Sequence, residues 1–198
     1  MEAIVLGLIR HTDRASILRA YTRTHGRVNY MVYGRSSRRQ PLMAMQMPLS
    51  EVEITSSGKE DPLSGTMPTL KEISLTHVPH CIPNDVRRQS VALFIAEILT
   101  SLLVHPMADE QLYDFLHDTI ADLDESPDTE NVHLRFLHGL CMHLGVAIDE
   151  EQHPELFLRP TSRHERQQLL GALCAYLEQQ MDGFRTPKSL DVLMELFD

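Results

Sequence analysis

The spacing of apolar residues changes once along this 198-residue chain, near Pro83, and that change constrains the fold more than any other feature. Before Pro83, apolar and polar residues alternate, which is the period of strands with one buried face. After Pro83, apolar residues recur every three to four positions, which is the period of helices. The sequence therefore predicts an α+β protein with a β domain over residues 1–80 and a helical domain over residues 81–198.

Five runs of residues in the first domain have the alternation of strands. They are Met1–Ile9, Ala15–Thr24, Arg27–Tyr33, Leu49–Thr55 and Thr69–Val78. His25-Gly26 predicts a tight turn between the second and third runs, because glycine adopts positive φ without steric cost. Five short strands with tight turns indicate a small closed barrel or a sandwich, and a five-stranded OB-fold β-barrel is the simplest match.

The second domain is predicted to be an all-α helical bundle of five helices. Asn84 or Asp85 can cap the first helix, whose apolar positions spread widely enough for a central, mostly buried element. Gly145 is expected to end the third helix. The last four helices begin at Asp109, about Asn131, Ser162 and Ser189.

Charge is distributed unevenly between the two halves. Residues 1–80 carry a net charge of +3, residues 81–198 a net charge of −13, and residues 1–40 eight arginines against Glu2 and Asp13. Such asymmetry indicates that one half contacts a polyanion. Because salt screens charges over about 8–10 Å, a distant acidic half does not cancel the attraction of the basic half. The pattern predicts a nucleic-acid partner, above all single-stranded DNA.

The candidate DNA-binding residues combine arginines with one aromatic ring. Arg19, Arg23 and Tyr21 share one strand face, and Arg27 starts the next strand. Three more arginines, Arg35, Arg38 and Arg39, follow in the loop after that strand. Grooves that hold single strands pair backbone charge with aromatic platforms, and arginine both binds phosphate and stacks. The alternative is a solvated charged face, with Tyr21 and Tyr30 in the core.

No motif points to an enzyme, a metal or a cofactor. Residues 34–39 lack the second glycine and the GK[ST] ending of a phosphate-binding loop. One helix carries His133, His138, Cys141 and His143, but without the ligand spacing of a structural zinc site. Ser, His and Asp are numerous enough for a chance triad, yet no GxSxG context supports one. We expect no catalytic residues, no metal and no cofactor.

Cysteine usage and hydropathy bear on the compartment. Cys81, Cys141 and Cys174 are scattered without CxxC spacing, which favours a reducing compartment and thiols that serve as small apolar fillers. The longest apolar stretch, residues 90–104, contains Glu97 and is too short to span a bilayer. The N-terminus lacks the pattern of a secretory signal. We expect a cytoplasmic protein with no membrane partner.

Three motifs resemble those of the recombination mediator family RecO. Residues 17–39, ILRAYTRTHGRVNYMVYGRSSRR, are similar to the family's strand ending in T-x-x-H/Y-G-R, followed by a strand and a G-x-x-x-R loop. Residues 183–193, GFRTPKSLDVL, resemble its closing K-S-L-x-V-L helix, and residues 137–147 its helix ending in L-G. The resemblance spans the whole chain in the expected order, barrel then helices.

The resemblance implies a non-enzymatic protein of recombinational repair. It implies binding of single- and double-stranded DNA through the OB-fold, annealing of complementary strands and partnership with RecR. It also implies recognition of the acidic C-terminal tail of single-strand binding protein, and so indirect help in loading RecA. Carried over by position, the DNA-contacting set is Arg19, Arg23, Arg27, Arg35, Arg38 and Arg39. Many members carry a four-cysteine zinc element after the L-G helix, whereas residues 145–186 hold only Cys174, so we expect no zinc.

The tail of single-strand binding protein would need an apolar pocket with a cation at its rim. The candidate rim residues are Arg87, Arg88, Arg135, Arg185 and Lys188, although each could equally be a solubilising charge or a member of an intrahelical pair. Two alternative functions remain open at this point. One is an adaptor that contacts proteins through the acidic helical half, and the other is an OB-fold protein that binds RNA.

Overall fold

The computed structural model describes residues 1–33, 45–58, 66–104 and 107–196. Its five strands are β1 (Glu2–Arg10), β2 (Ala15–Thr22), β3 (Gly26–Tyr33), β4 (Glu51–Ser57) and β5 (Thr69–Leu75). Its five long helices are α1 (Val86–Leu102), α2 (Glu110–Glu125), α3 (Val132–His143), α4 (Arg163–Gln180) and α5 (Ser189–Leu196). Single-turn 3-10 helices occur at Ile82–Asn84 and Pro154–Phe157.

The five strands form a closed barrel in the order β1-β2-β3-β5-β4, and β4 pairs back onto β1. All neighbours are antiparallel except β3 and β5, which are parallel. This arrangement matches an OB-fold, so the predicted fold class, a five-stranded barrel followed by helices, is confirmed. Because the barrel closes, each of these five strands has a partner on both sides, which opposes edge-to-edge association.

The barrel interior is built from the alternating residues that the sequence pattern predicts. The inward side chains include Ala3, Val5, Leu18, Ala20, Val28, Tyr30, Val52, Ile54 and Ile73, all buried. A bulge between Val5 and Gly7 shifts the register of β1 against β2. Past this bulge Leu8, rather than Gly7, packs against the interior cluster. The odd-numbered residues of β2 and β3 consequently face outward.

The turn between β2 and β3 uses the predicted glycine. Gly26 has φ of +65°, in the left-handed region. The Thr22 hydroxyl donates to the Gly26 carbonyl at 2.9 Å and accepts from the His25 amide at 3.1 Å. A Cβ added at Gly26 would lie 2.2 Å from the carbonyl oxygen of Met107, so this position admits no side chain. Gly26 is therefore required both by the turn and by a close backbone approach.

Several strand boundaries differ from the predicted ones by one to three residues, the largest difference being the last strand, which ends at Leu75 rather than Val78. The fourth strand begins at Glu51 rather than Leu49, because Leu49 has φ of +63° and is not extended. The second strand ends at Thr22 rather than Thr24, because the Thr22 hydroxyl closes the turn there.

The chain forms two compact units whose division differs in part from the predicted one. The first unit contains Met1–His80 and Leu103–His117, and the second contains Cys81–Leu102 and Asp118–Asp198. Residues 103–117, which the sequence pattern assigns to the helical half, thus belong with the barrel. The physical reason is that this segment covers part of the barrel's outer face, where Tyr113 stacks on Tyr21 of β2.

In the second unit, α1 is buried around most of its circumference, as predicted for a central helix. Its buried residues include Val91, Phe94, Ile95, Ile98 and Leu99. The single acid in its apolar run, Glu97, accepts hydrogen bonds from the Ser189 amide at 3.2 Å and the Ser189 hydroxyl at 2.6 Å. This pair anchors the start of α5, so the serine of the K-S-L motif has a structural role.

Helix ends in the second unit follow the predicted signals. Ser162 and Glu165 form a reciprocal capping box at the start of α4. At the end of α3, Gly145 has φ of +74°, and the Val146 amide donates to the Cys141 carbonyl at 2.9 Å. This is the six-to-one bond of a Schellman motif.

The cysteines are only partly the apolar fillers that were expected. Cys141 and Cys174 are buried, and burial raises the pKa of Cys141 to about 11 and that of Cys174 to about 12. Cys81 is exposed, so for this residue the expectation is wrong. Its position just before the 3-10 turn explains the exposure, because its amide donates to Asp124 while its side chain faces solvent.

Replacing Gly26 with alanine should lower the free energy of unfolding of the first unit by more than the cost of placing an alanine at positive φ. A left-handed conformation costs an L-residue about 1–2 kcal/mol, and the contact with Met107 adds to that. The matched control is Gly145→Ala, because Gly145 also has positive φ but open space around its Cβ position. Urea unfolding should show the larger loss of stability in Gly26→Ala, and equal losses would contradict the close approach.

His133 should make the stability of the second unit fall in mild acid. Its side chain is buried, and burial, followed by the charges of Arg166 and Arg135, lowers its pKa from 6.5 to about 4. Below pH 6.5 the unfolded chain binds a proton that the folded chain does not, so stability decreases as pH falls towards 4. Between pH 7.5 and pH 5 the loss should be about 2 kcal/mol.

Urea unfolding at these two pH values measures the effect. His133→Leu should show a smaller difference between the two pH values, whatever its stability at pH 7.5. The exposed His164, replaced by glutamine, serves as the control and should keep the parent's pH dependence. A parent-like difference in His133→Leu would assign the pH dependence to other groups.

Candidate nucleic-acid interface

Tyr21 lies on the outward face of β2, but it is not exposed there. Its side chain is 1% exposed, and its ring stacks on Tyr113 of α2 with centroids 6.4 Å apart. The Tyr21 hydroxyl donates to the Asp109 carbonyl at 3.4 Å, and burial, with Asp109, raises the pKa of Tyr21 to about 12. The expectation of an exposed platform at Tyr21 is therefore wrong, because residues 103–117 cover this part of the barrel.

Arg23 is held in place by the same covering segment. Its guanidinium pairs with Glu2 at 2.9 Å and with Asp114 at 2.8 Å. It also lies 4.4 Å from the ring centroid of Tyr113, within the range of a cation–π contact. With two carboxylates and a ring already in contact, Arg23 has a structural role in the first unit.

Arg27 and Arg19 differ in their surroundings, although both face outward. Arg27 is half-buried and donates to the Leu103 carbonyl at 3.1 Å. Burial lowers the pKa of Arg27, and the charge of Arg19 lowers it further. Arg19 lies in register between Gly7 on β1 and Asn29 on β3, and it forms no ion pair with any residue in the described ranges. Arg19 is the more available of the two for an anion.

The three loop arginines, Arg35, Arg38 and Arg39, lie outside the described residues. Their part in DNA binding stays a prediction. They follow Tyr33, the last residue of β3, within six positions of the sequence.

Sequence reasoning missed two exposed apolar residues on the outward face of the barrel, at the end of β1 and β3 that residues 103–117 do not cover. Tyr33 is 62% exposed and Ile9 is 37% exposed. The register pairs Ile9 with Ile17, Ile17 with Met31, and Ala15 with Tyr33. The alternation of side chains along β3 places Tyr33 on the same face as Arg27. That alternation is visible in the sequence and would have justified adding Tyr33 to the candidate DNA-binding residues.

Two of the five predicted partner-binding cations, Arg88 and Arg135, form hydrogen bonds and ion pairs within the second unit. Arg88 donates to the carbonyls of Leu123, Asp124 and Ser126 at the C-terminal end of α2, and it pairs with Asp85. Arg135 pairs with Asp122 at 2.6 Å and Asp128 at 3.3 Å, and these carboxylates raise its pKa although burial lowers it. Both side chains therefore hold the chain around the end of α2.

The other three predicted cations, Arg87, Arg185 and Lys188, are exposed. Arg185 donates to the adjacent Phe184 carbonyl at 3.0 Å. None of the five predicted residues lines the cavity of about 430 Å³ beside the start of α4. A different arginine, Arg159, lines that cavity together with Leu158, Pro160, Leu169 and Ala172. Sequence reasoning missed Arg159, whose signal was its place between two apolar residues in Leu158-Arg159-Pro160.

Two further findings concern metal groups and membrane-spanning helices among the described residues. In the ranges that the structure describes, no three His, Cys, Asp or Glu side chains are grouped closely enough to hold a metal ion. No helix within those ranges is long and apolar enough to cross a membrane.

Comparison with known proteins identifies the family. Residues 1–78 match the family described as Recombination protein O N terminal, and residues 83–155 match Recombination protein O C terminal. A DNA repair protein RecO of Porphyromonas gingivalis is 31% identical over 244 aligned positions, which cover 100% of this chain and 98% of that protein. DNA repair proteins RecO of Flavobacterium johnsoniae and Flavobacterium psychrophilum are 28% and 27% identical, each over 99% of this chain and 98% of the relative.

The two matched segments correspond to the barrel and to the first helices of the second unit, in the order that the sequence motifs predicted. Because the relatives are similar along their whole length, the likeness is not confined to the barrel. The chain belongs to the RecO family, whose role is in DNA repair and recombination.

Proposed function

We propose that this chain is a non-enzymatic recombination mediator that binds single- and double-stranded DNA and anneals complementary strands. It would also partner RecR and recognise the tail of single-strand binding protein, and thereby help to load RecA. The observation that carries the proposal is the concentration of arginines in the first 40 residues of the sequence, in a chain that belongs to the RecO family. Eight arginines occur in the first 40 residues, against two acids.

The contacts within the barrel unit divide these arginines by role. Arg23 and Arg27 hold residues 103–117 against the barrel, through Asp114 and the Leu103 carbonyl. Arg19 is part-exposed and forms no ion pair within the described part of the chain. We therefore assign phosphate binding to Arg19 together with Arg35, Arg38 and Arg39, and a structural role to Arg23 and Arg27.

Annealing follows from the same charges without a covalent step. Two complementary strands repel one another until their phosphates are neutralised, and arginines on one protein surface reduce that repulsion. Contacts to phosphate carry no sequence information, so the protein can anneal any pair of complementary strands by this means.

The cavity beside Arg159 is our candidate for the tail of single-strand binding protein. It has apolar walls and an exposed cation at its edge, which suits an acidic peptide with an aromatic residue. Two acids also line it, but each is engaged: Glu155 lies 3.3 Å from His153, and Glu165 accepts from Thr161 and Ser162. The hydrogen bonds to Glu165 lower its pKa and keep it ionised, so attraction of an acidic peptide falls to Arg159 and to the apolar walls.

Alanine at Arg35, Arg38 and Arg39 together should weaken binding of a labelled oligo-dT strand by the full-length chain. Each phosphate contact contributes about 0.7 to the slope of log affinity against log salt, so the triple variant should lose about 2 from that slope. Arg19→Ala should lose about 0.7. Titration at four salt concentrations between about 50 and 200 mM measures both the affinity and the slope.

The matched control for these variants is Arg185→Ala, which removes an exposed arginine from the second unit. It should bind as the parent does. Salt-independent binding by the parent, or none at about 50 mM salt, would contradict the proposal. Preference for RNA over DNA of the same sequence would favour the RNA-binding alternative, and RecR binding without any DNA binding would favour the adaptor.

Arg159→Ala should reduce the affinity for a synthetic peptide with the sequence of that acidic tail. Loss of one charge-assisted contact at a partly exposed site should weaken binding about five- to tenfold, measured by fluorescence anisotropy. Arg185→Ala again serves as the control, because it was one of the predicted rim residues but lies away from the cavity. If Arg185→Ala binds the peptide more weakly and Arg159→Ala binds it like the parent, the peptide site is not the cavity beside Arg159.

A further inference from the structure

The outward face of the barrel has a covered end and an open end. At the covered end, Tyr21 and Arg23 lie beneath Tyr113. At the open end, cross-strand neighbours form an apolar row of Ile9, Ile17 and Met31, and Tyr33 lies two residues beyond Met31 on the same face of β3. We call Ile9, Ile17, Met31, Tyr33 and Arg19 the Tyr33 face.

The Tyr33 face exposes more apolar surface than strand stability explains. Tyr33 and Ile9 are 62% and 37% exposed, although they lie on paired strands of a closed barrel whose interior is filled by other residues. A contiguous exposed apolar group with charges beside it is typical of a binding surface rather than of plain solvent-facing sheet. An exposed tyrosine ring on a rigid strand also offers a flat surface at low entropic cost.

The charge of this face is positive. The outward residues of its three strands at this end are Gly7, Ile9, Ala15, Ile17, Arg19, Asn29, Met31 and Tyr33, and none of them is acidic. The positive field of Arg19 reaches as far as Arg27, whose pKa it helps to lower after burial has done so. Opposite Arg19, Gly7 has open space where a Cβ would be, so the surface over β1 has room for a planar group.

We propose that the Tyr33 face binds unpaired nucleobases of a single strand, with one base stacked on the Tyr33 ring. Ile9, Ile17 and Met31 would support the neighbouring base, and Arg19 would bind the phosphate between them. This inference rests on the proposed function and specifies it. It predicts that the barrel distinguishes single strands from duplexes, because the bases of a duplex stack on one another and expose no face to the tyrosine.

A polypeptide partner is the competing occupant, since tyrosine and arginine are also common at protein interfaces. The observations favour nucleic acid for two reasons. The face carries a cation and no carboxylate, which complements a polyanion, and its apolar residues form a row along which successive bases can lie. If the occupant is a protein, replacing Tyr33 with alanine should reduce RecR binding and leave the affinity for DNA unchanged.

The test compares Tyr33→Ala with the parent, as full-length chains, on three probes of equal length. These are an oligo-dT strand, the same backbone carrying abasic sites, and a duplex. One lost stacking contact should weaken binding to oligo-dT about 5- to 150-fold, which corresponds to 1–3 kcal/mol per base. Binding to the abasic strand and to the duplex should be the same in variant and parent.

Two controls separate stacking from charge and from general loss of apolar surface. Tyr33→Phe should bind like the parent, because it keeps the ring. Val78→Ala, which removes another apolar side chain of the barrel unit that is 63% exposed, should also bind like the parent. The salt dependence of Tyr33→Ala should keep the parent's slope, whereas Arg19→Ala should reduce it by about 0.7.

Failure of this inference is distinguishable from failure of the proposed function. If the parent binds oligo-dT with steep salt dependence but Tyr33→Ala binds equally well, the inference is overturned and the proposed function stands. Equal affinity of the parent for abasic and normal strands overturns the inference in the same way. Loss of RecR binding in Tyr33→Ala with unchanged DNA affinity overturns it in favour of a protein partner, and absence of any DNA binding by the parent overturns both.

Discussion

The packing of residues 103–117 on the outside of the barrel determines what the rest of the barrel surface can do. A closed barrel fills its interior with one set of alternating residues and leaves the other set to solvent or to a partner. Here the Tyr21–Tyr113 stack, with Arg23 against the same ring, covers one end of the outward face on β2. The other end of that face, where Tyr33 and Ile9 are exposed, is the part open to a ligand.

The signature that first suggested the family has a structural explanation in this arrangement. In T-x-x-H-G-R, Thr22 closes the turn, Gly26 allows the Met107 backbone to approach, and Arg27 binds the Leu103 carbonyl. Each of these residues supports the contact between the turn and the covering segment. The basic charge of this motif suggests DNA binding, but Thr22, Gly26 and Arg27 stabilise the packing of residues 103–117 on the barrel.

The sequence pattern predicted the order and kind of elements because these depend on local period, turn residues and caps. Gly26, Ser162 and Gly145 each act where the pattern placed them. It could not predict which outward residues are covered, because Tyr21 and Tyr113 are distant in sequence and meet only in the folded chain. The same limit applies to Arg88 and Arg135, whose partners at the C-terminal end of α2 are not evident from charge alone.

Under the proposed function the protein must accept strands of any sequence, and a surface that combines a ring, aliphatic side chains and arginine side chains suits that task. Hydrogen-bond donors and acceptors aimed at base edges would favour particular bases, whereas stacking and phosphate contacts do not. Among the described residues on the open part of the outward face, Asn29 has the side-chain amide best suited to reading a base edge. Its amide oxygen is buried at the position paired with Arg19, so this acceptor does not reach a base edge. Binding of that kind is reversible and exchangeable, and strand annealing requires the strands to be released once they have paired.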